Sequence, residues 1–221
     1  PRKVLVASFQ MDAGTGKGRS WKPKIFHNFD GDSADCERRV RDVCLFSSAA
    51  PIYLPSYEGF IDGGVCANNP SMCALAQLLD ERYRGSRDSL DGVRMISFGT
   101  GNWPEHVARR NIWWGLAGYG ARLVDIFFDG SNGIADYQCA RLLGGARYRR
   151  IQPDLSHEIG MDEWKAVGIM REEVAQINLE ADISWLERNW KSAVKRERSP
   201  IRQKSAAVAK PGKSLSRKKP R

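Results

Sequence analysis

No run of apolar residues in this 221-residue sequence is long enough for a helix to cross a bilayer, which takes about 20 of them. No secretory leader is recognisable either, although the sequence opens at Pro1 and not at Met. Cysteine is sparse: Cys36, Cys44, Cys66, Cys73 and Cys139 are odd in number and form no C-x-x-C pair. Scattered mostly in apolar helical contexts, they are expected to be small core residues of a reducing, cytoplasmic compartment, not disulfides or zinc ligands. Histidine is scarcer still. Of His27, His106 and His157, none lies in a motif that suits a catalytic base, and His27 sits within a strand as a packed or edge residue. A phosphate cradle is also missing. Asp12-Ala13-Gly14-Thr15-Gly16-Lys17-Gly18 has a Lys among glycines, but a Walker A loop needs Gly five positions before that Lys and Ser or Thr directly after it. Asp12 and Gly18 hold those places, so the stretch is read as a flexible hairpin loop.

Charge of one sign is concentrated at one end. Residues 191–221 hold twelve Lys and Arg against a single acid, Glu197, whereas residues 1–190 hold 23 basic and 25 acidic side chains. The body is thus slightly acidic and carries no nucleic-acid motif, which makes a nucleic-acid partner a poor reading of the net +9. The basic segment has almost nothing apolar and is expected to be a disordered tail, suited to an anionic membrane surface. The domain division expected is 1–190 as the folded part and 191–221 as the tail.

Along the body, Lys3 to Phe9 is a short apolar run that reads as a buried strand, and Lys24 to Phe29 reads as a second. Asp32 or Ser33 caps a helix with Cys36, Val40, Val43 and Cys44 at helical spacing, Arg38, Arg39 and Arg41 facing solvent. Ser47-Ser48-Ala49-Ala50 are small enough to let that helix pack close to a sheet before Pro51 ends it. A further helix is expected from Pro70 to about Tyr83, stopped by Gly85. Val93 to Phe98 is a clear strand that runs into Gly99-Thr100-Gly101, either a close approach to a ligand or a plain exit from the sheet.

Residues 111–128 pattern as an amphipathic helix with Ile112, Leu116, Tyr119, Leu123, Ile126 and Phe127 in one core-facing stripe. The adjacent Trp113 and Trp114 cannot both face one core, which places one of them at a substrate mouth or membrane surface. Ser131 or Asn132 starts another helix, through Tyr137, Leu142 and Leu143, and Tyr148 to Ile151 is the last strand. Two closing helices, 162–178 and 180–194, carry Trp164, Val167, Val174 and Ile177, then Ile183, Leu186 and Trp190.

The most informative stretch is Gly59 to Pro70. Phe60 and Ile61 end a buried strand, Asp62 follows where strand gives way to loop, and open α/β sheets place their chemistry there. Gly63 and Gly64 allow backbone angles and a closeness of approach that a side chain forbids. Asn69 is a good N-cap, with Pro70 at the first helical position.

Alternating strands and helices with glycine-flanked turns at strand ends argue an α/β architecture. Ser47-Ser48-Ala49-Ala50-Pro51, Phe60-Ile61-Asp62-Gly63-Gly64, Asn68-Asn69-Pro70 and Ile96-Ser97-Phe98-Gly99-Thr100-Gly101, in that order and spacing, resemble the second half of patatin-like phospholipases, from about Val4 to Trp190. The resemblance implies a patatin-like sandwich with a central, mostly parallel sheet flanked by helices, here truncated at the N-terminus. It also implies a lipid acyl hydrolase with a Ser–Asp dyad, acting on a lipid or acyl-ester substrate without metal or organic cofactor. The Asp of the family's Asp-Gly-Gly/Ala motif falls on Asp62, followed by Gly63 and Gly64.

A serine hydroxyl becomes a useful nucleophile only when a base within hydrogen-bond reach takes its proton, and in a dyad Asp62 would take it directly. The departure from the family is equally plain. Its nucleophile lies in Gly-x-Ser-x-Gly, which occurs nowhere here, and the glycine-rich oxyanion loop is absent too. Ser131 comes nearest, but Asp129 stands two positions before it, and a helix cap is its expected role. The chain is therefore expected to be the C-terminal part of such an enzyme, inactive by itself. The rival expectation is a non-catalytic module of the same fold that binds a lipid or a partner.

Overall fold

The computed structural model describes residues 2–29, 33–80, 82, 90–103, 115, 119–120 and 122–190. They fall into two units, divided between Asn178 and Leu179.

In the first unit, β1 (Leu5–Ala13) and β2 (Ser20–His27) form an antiparallel hairpin, in register from Leu5 opposite His27 to Gln10 opposite Lys22. The register shifts before Ala13 pairs with Ser20. The connecting loop turns on Gly14 and Gly16, both at positive φ, and Arg19 pairs with Asp12 across its base. The hairpin reading of Asp12–Gly18 thus holds. Two short helices follow, α1 (Ser33–Cys36) and α2 (Val40–Ser48). Then come β3 (Phe60–Asp62), α3 (Gly64–Ala67), α4 (Ser71–Leu79), β4 (Met95–Phe98), α5 (Arg122–Leu143), β5 (Tyr148–Ile151) and α6 (Val167–Ala175). The second unit contributes α7 (Glu180–Asn189).

The class is α/β, but the sheet differs from the expected one. Among the described residues there are two small sheets, a three-stranded one in the order β2-β1-β3 and a two-stranded one of β4 and β5. Both pairings in the first are antiparallel, and only β4 and β5 run parallel. The connections explain this. A tight hairpin can join only antiparallel neighbours, whereas β4 reaches β5 through α5, a crossover long enough for parallel strands.

Two cores result. Phe26, Phe46 and Phe60 are buried together with Val6, Val43 and Tyr57 packed against them, and the Phe46 and Phe60 rings lie 4.4 Å apart. Leu75 of α4, Val93, Cys139 and Leu143 of α5 and Tyr148 of β5 make the other.

Several helix expectations are corrected. Arg39 takes an extended conformation and breaks the first helix in two, so Cys36 and Val40 no longer share a face. Cys36, Val40 and Cys44 are exposed, and Phe46 is the buried residue of α2. Only Cys139 of the five cysteines is fully in a core. The two helices expected at 111–128 and from Ser131 are, over the described part, the single α5, which runs straight through Gly130 and Gly133. Its buried stripe is Ala135, Cys139 and Leu143, four residues apart, while Tyr119, Ile126 and Phe127 face solvent. The closing helices are shorter than expected, with Trp164, Val167, Val174 and Ile183 exposed. The expectations for Asp32, Tyr83, Gly85, Ile112, Trp113, Trp114, Leu116, His106 and the tail 191–221 lie outside the described residues.

Candidate active site

Asp62 is the last residue of β3, opposite Ser8 of β1. The turn that follows is held by backbone. Asp62 N–H donates to the Ala49 carbonyl at 3.0 Å and Gly63 N–H to the Ser47 carbonyl at 3.4 Å. Ser47 Oγ in turn donates to the Ala7 carbonyl at 2.8 Å. Ala49 and Ala50 are buried, so the small-residue run brings the end of α2 onto the sheet as its composition suggested.

The two glycines have different work. Gly63 has ordinary helical angles (φ −65°, ψ −20°), so conformational freedom is not why it is glycine. A Cβ there would overlap the Ala7 carbonyl and lie 2.9 Å from the Ala7 Cβ. A Cβ on Gly64 would meet Asp62 Oδ1 at 3.2 Å, Asn68 Oδ1 at 3.3 Å and the Phe128 ring at 3.5 Å, tight but not overlapping.

The Asp62 side chain is half-buried, and its Oδ1 accepts the Gly64 N–H at 2.6 Å. That is its one hydrogen bond among the described residues, and Oδ2 has none. Among the described residues no serine hydroxyl hydrogen-bonds to it. Ser8 Oγ lies 2.8 Å from the Phe46 carbonyl and 3.1 Å from that of Ile61, and Ser47 Oγ is engaged as above. The nearby Cys66 thiol is pushed above its usual pKa, first by burial, which keeps it protonated.

Asn69 Oδ1 accepts the Ser71 N–H at 3.1 Å, but the cap is Pro70, one residue later than expected, and α4 begins at Ser71. Asn68 and Asn69 also join the turn to a cavity of about 460 Å³ at the exit of β4. Its wall includes Lys3, Asn69, Ser97, Gly99, Asn132 and Arg150. Asp62 is not on that wall. The Gly99-Thr100-Gly101 exit therefore does line a recess, beside the carboxylate and not around it.

Sequence reasoning passed over Arg150 and gave Asn132 only as a helix start. The available signal was an arginine in a short parallel strand, where a charge must be satisfied by something. Arg150 Nη1 donates to Ser97 Oγ at 2.7 Å, and Nη2 donates to Asn132 Oδ1 and Gln152 Oε1, both at 2.8 Å. Ser71 Oγ donates to Ser97 Oγ at 2.9 Å. Ser131, the nearest thing to a nucleophile in the sequence, donates instead to the Phe128 carbonyl at 3.0 Å within α5. It is neither a helix cap nor a nucleophile beside Asp62.

One cluster imitates a catalytic triad. Ser156 Oγ lies 2.9 Å from His157 Nδ1 and donates to Glu173 Oε1, which is itself 3.3 Å from the same Nδ1. All three converge on one ring nitrogen, so the imidazole cannot stand between hydroxyl and carboxylate as a relay needs. His27 Nδ1 accepts the Phe29 N–H at 3.3 Å and is a strand residue, as expected. Among the described residues no group of His, Cys, Asp and Glu could hold a metal ion. None of their helices is long and apolar enough to cross a membrane.

No family model matches the chain. Curated relatives do. Over 115 residues, 52% of this chain and 34% of the relative, it is 34% identical to the "Putative sporulation hydrolase CotR" of Bacillus subtilis (strain 168). Patatin-like protein 1 of Oryza sativa subsp. indica is 29% identical over 174 residues, covering 63% of this chain and 42% of its own length. Patatin-like protein 3 of Arabidopsis thaliana is 27% identical over 205 residues, covering 72% and 48%. The chain is thus similar to patatin-like proteins. It spans between a third and a half of the length of these relatives.

Proposed function

We propose that this chain supplies the aspartate side of a serine lipid acyl hydrolase. The reaction is hydrolysis of carboxyl esters in phospholipids or other acyl lipids by a Ser–Asp dyad. The nucleophilic serine is taken to lie outside these 221 residues, which hold no Gly-x-Ser-x-Gly. The observation that carries the reading is Asp62 itself. The Gly64 N–H fixes the carboxylate through Oδ1 and leaves Oδ2 to take the serine proton as Oγ attacks the ester carbonyl. The proton then passes to the departing alcohol, and water, deprotonated by the same carboxylate, releases the acyl group. No step calls for a metal or an organic cofactor.

A second reading has its own support. No described hydroxyl contacts Asp62, and that fits a non-catalytic module of this fold that binds a lipid or a partner. The sequence encoded upstream of Pro1 separates the two. A glycine-rich loop and Gly-x-Ser-x-Gly there favour the enzyme, and their absence favours the module. Residues 1–221 alone should hydrolyse p-nitrophenyl esters no faster than a boiled control. A single serine in them labelled by an organophosphate, with turnover lost in proportion, would overturn the assignment of the nucleophile.

Location follows from the same reading: a cytoplasmic protein that meets anionic membranes through 191–221. Each basic residue near such a surface contributes about 1 kcal/mol, an attraction screened by salt. Deleting 191–221 should abolish binding to anionic vesicles at low salt. Unchanged binding would transfer the role to the body, with the segment at Trp113 and Trp114 the first to test.

A further inference from the structure

Arg150 is set apart from Lys24 and Arg147, half-buried cations with a carboxylate partner, by what surrounds it. Lys24 pairs with Asp35 at 2.7 Å and Arg147 with Asp91 at 3.1 Å. Arg150 is half-buried on the cavity wall, and its hydrogen-bond partners, Ser97, Asn132 and Gln152, are all neutral. They use three of the five guanidinium hydrogens, one on Nη1 and both on Nη2. Nε–H and the second Nη1 hydrogen have no partner among the described residues, and no carboxylate there lies within ion-pair distance.

The setting is built to hold the group in place. Ser97 is buried and is itself bonded by Ser71. Gly99 makes room, since a Cβ there would overlap the Gln152 amide and lie 2.7 Å from Arg150 Nη2. A positive charge held by neutral acceptors on the wall of a recess, with two guanidinium hydrogens unbonded among the described residues, is suited to take an anion. Lys3 adds a second positive charge to the wall and Asp129 one negative charge, leaving the recess net positive.

We infer that this cavity is an oxyanion site, with Arg150 as its anchor, for a phosphate group. Phosphate fits better than a carboxylate. Its oxygens point in four directions and can use donors on several walls, namely the guanidinium, the Asn68 and Asn69 amides and the Thr100 hydroxyl, in a space of about 460 Å³. The phosphate comes either from a lipid head group, in which case the inference rests on the proposed lipid substrate, or from a free phosphate that regulates the protein. Binding needs no nucleophile, so its failure is separable from failure of the esterase reading.

The test is a ¹H–¹⁵N titration of the full chain with inorganic phosphate, following Arg150 Nε–H and the Gly99 and Gly101 amides. These signals report the cavity irrespective of the basic tail. Saturable shifts are expected, and in Arg150→Met the glycine shifts should need at least tenfold more phosphate. Should Arg150→Met fail to fold, Asn132→Asp decides the matter. It keeps the shape and the hydrogen bond but places a carboxylate on the guanidinium, and it should weaken binding by a similar factor. Glycerophosphocholine binding more tightly than phosphate assigns the site to lipid head groups, and the reverse order assigns it to free phosphate. Absent shifts, or shifts that Asn132→Asp leaves unchanged, overturn the inference.

Discussion

The turn at Asp62 and the recess at Arg150 both follow a strand end, yet they are organised in opposite ways. At Asp62 the backbone is clamped by Ala49, Ser47 and Ala7, and the carboxylate is almost the only part left open. At Arg150 the strand leads into open space, and side chains, not backbone, hold the charge in place. The first arrangement fixes an acceptor of protons to within a narrow range of positions. The second offers donors to a ligand that brings its own shape. Under the proposed function, the first would position one atom strictly and the second would hold a head group more loosely.

The contrast is sharpest in the glycines. Gly63→Ala puts a methyl into the Ala7 backbone, which cannot yield without moving β1, and it should cost about 3 kcal/mol of stability or prevent folding. Denaturant unfolding measures it. Gly64→Ala meets only side-chain atoms at contact distance and should change stability by less than about 1 kcal/mol. This asymmetry gives a physical reason for a motif that keeps its first glycine and admits alanine at the second. Equal costs for the two would break the comparison.

Tyr148 ties the recess to the core beneath it. Its hydroxyl donates to Asp136 Oδ1 at 2.7 Å, and burial, then the Asp136 carboxylate, push its pKa up to about 12. A raised tyrosine pKa means that folding favours the protonated form, so the contribution is complete below pH 10 and is lost between pH 10 and about 12. The thermal midpoint should therefore fall more steeply over that interval in the wild type than in Tyr148→Phe. At neutral pH the variant should be destabilised by about 1 kcal/mol for the lost hydrogen bond. Parallel curves for the two proteins above pH 10 would detach Tyr148 from that stability loss.

β3, β4 and β5 lie where the sequence places strands, whereas β1 runs four residues past Phe9 to Ala13 and β2 begins four before Lys24, at Ser20, because the hairpin pairs polar residues that no apolar run marks. The turn at Asp62, Gly63 and Gly64 was legible because its shape is local, set within a few residues of chain. The β1–β2 hairpin was legible from its glycine-rich loop, but the other pairings were not, since β1 takes β3 from far along the chain and β4 finds β5 only across α5. The helices were misjudged wherever an apolar stripe was taken for buried. Ile126 and Phe127 have the right spacing but face solvent, and Arg39 breaks a periodicity that continues on paper. Arg150 was missed because its meaning depends on Ser97, Asn132 and the space in front of them, which no short window contains.

The central claim is that the Asp62 carboxylate is the base. It is tested by steady-state esterase turnover, with thermal midpoints alongside, in a chain extended upstream to include a Gly-x-Ser-x-Gly serine. Asp62→Asn keeps the size and lets the amide oxygen accept the Gly64 N–H, so the midpoint should barely move. The rate should fall by about 10²–10⁴-fold or more, as no histidine among the described residues bonds to Asp62 to replace the base. Asp125→Asn, on the exposed face of α5, should stay within a few-fold of the parent. Near-normal turnover by Asp62→Asn would contradict the account and leave Asp62 as the end of a strand and the start of a turn.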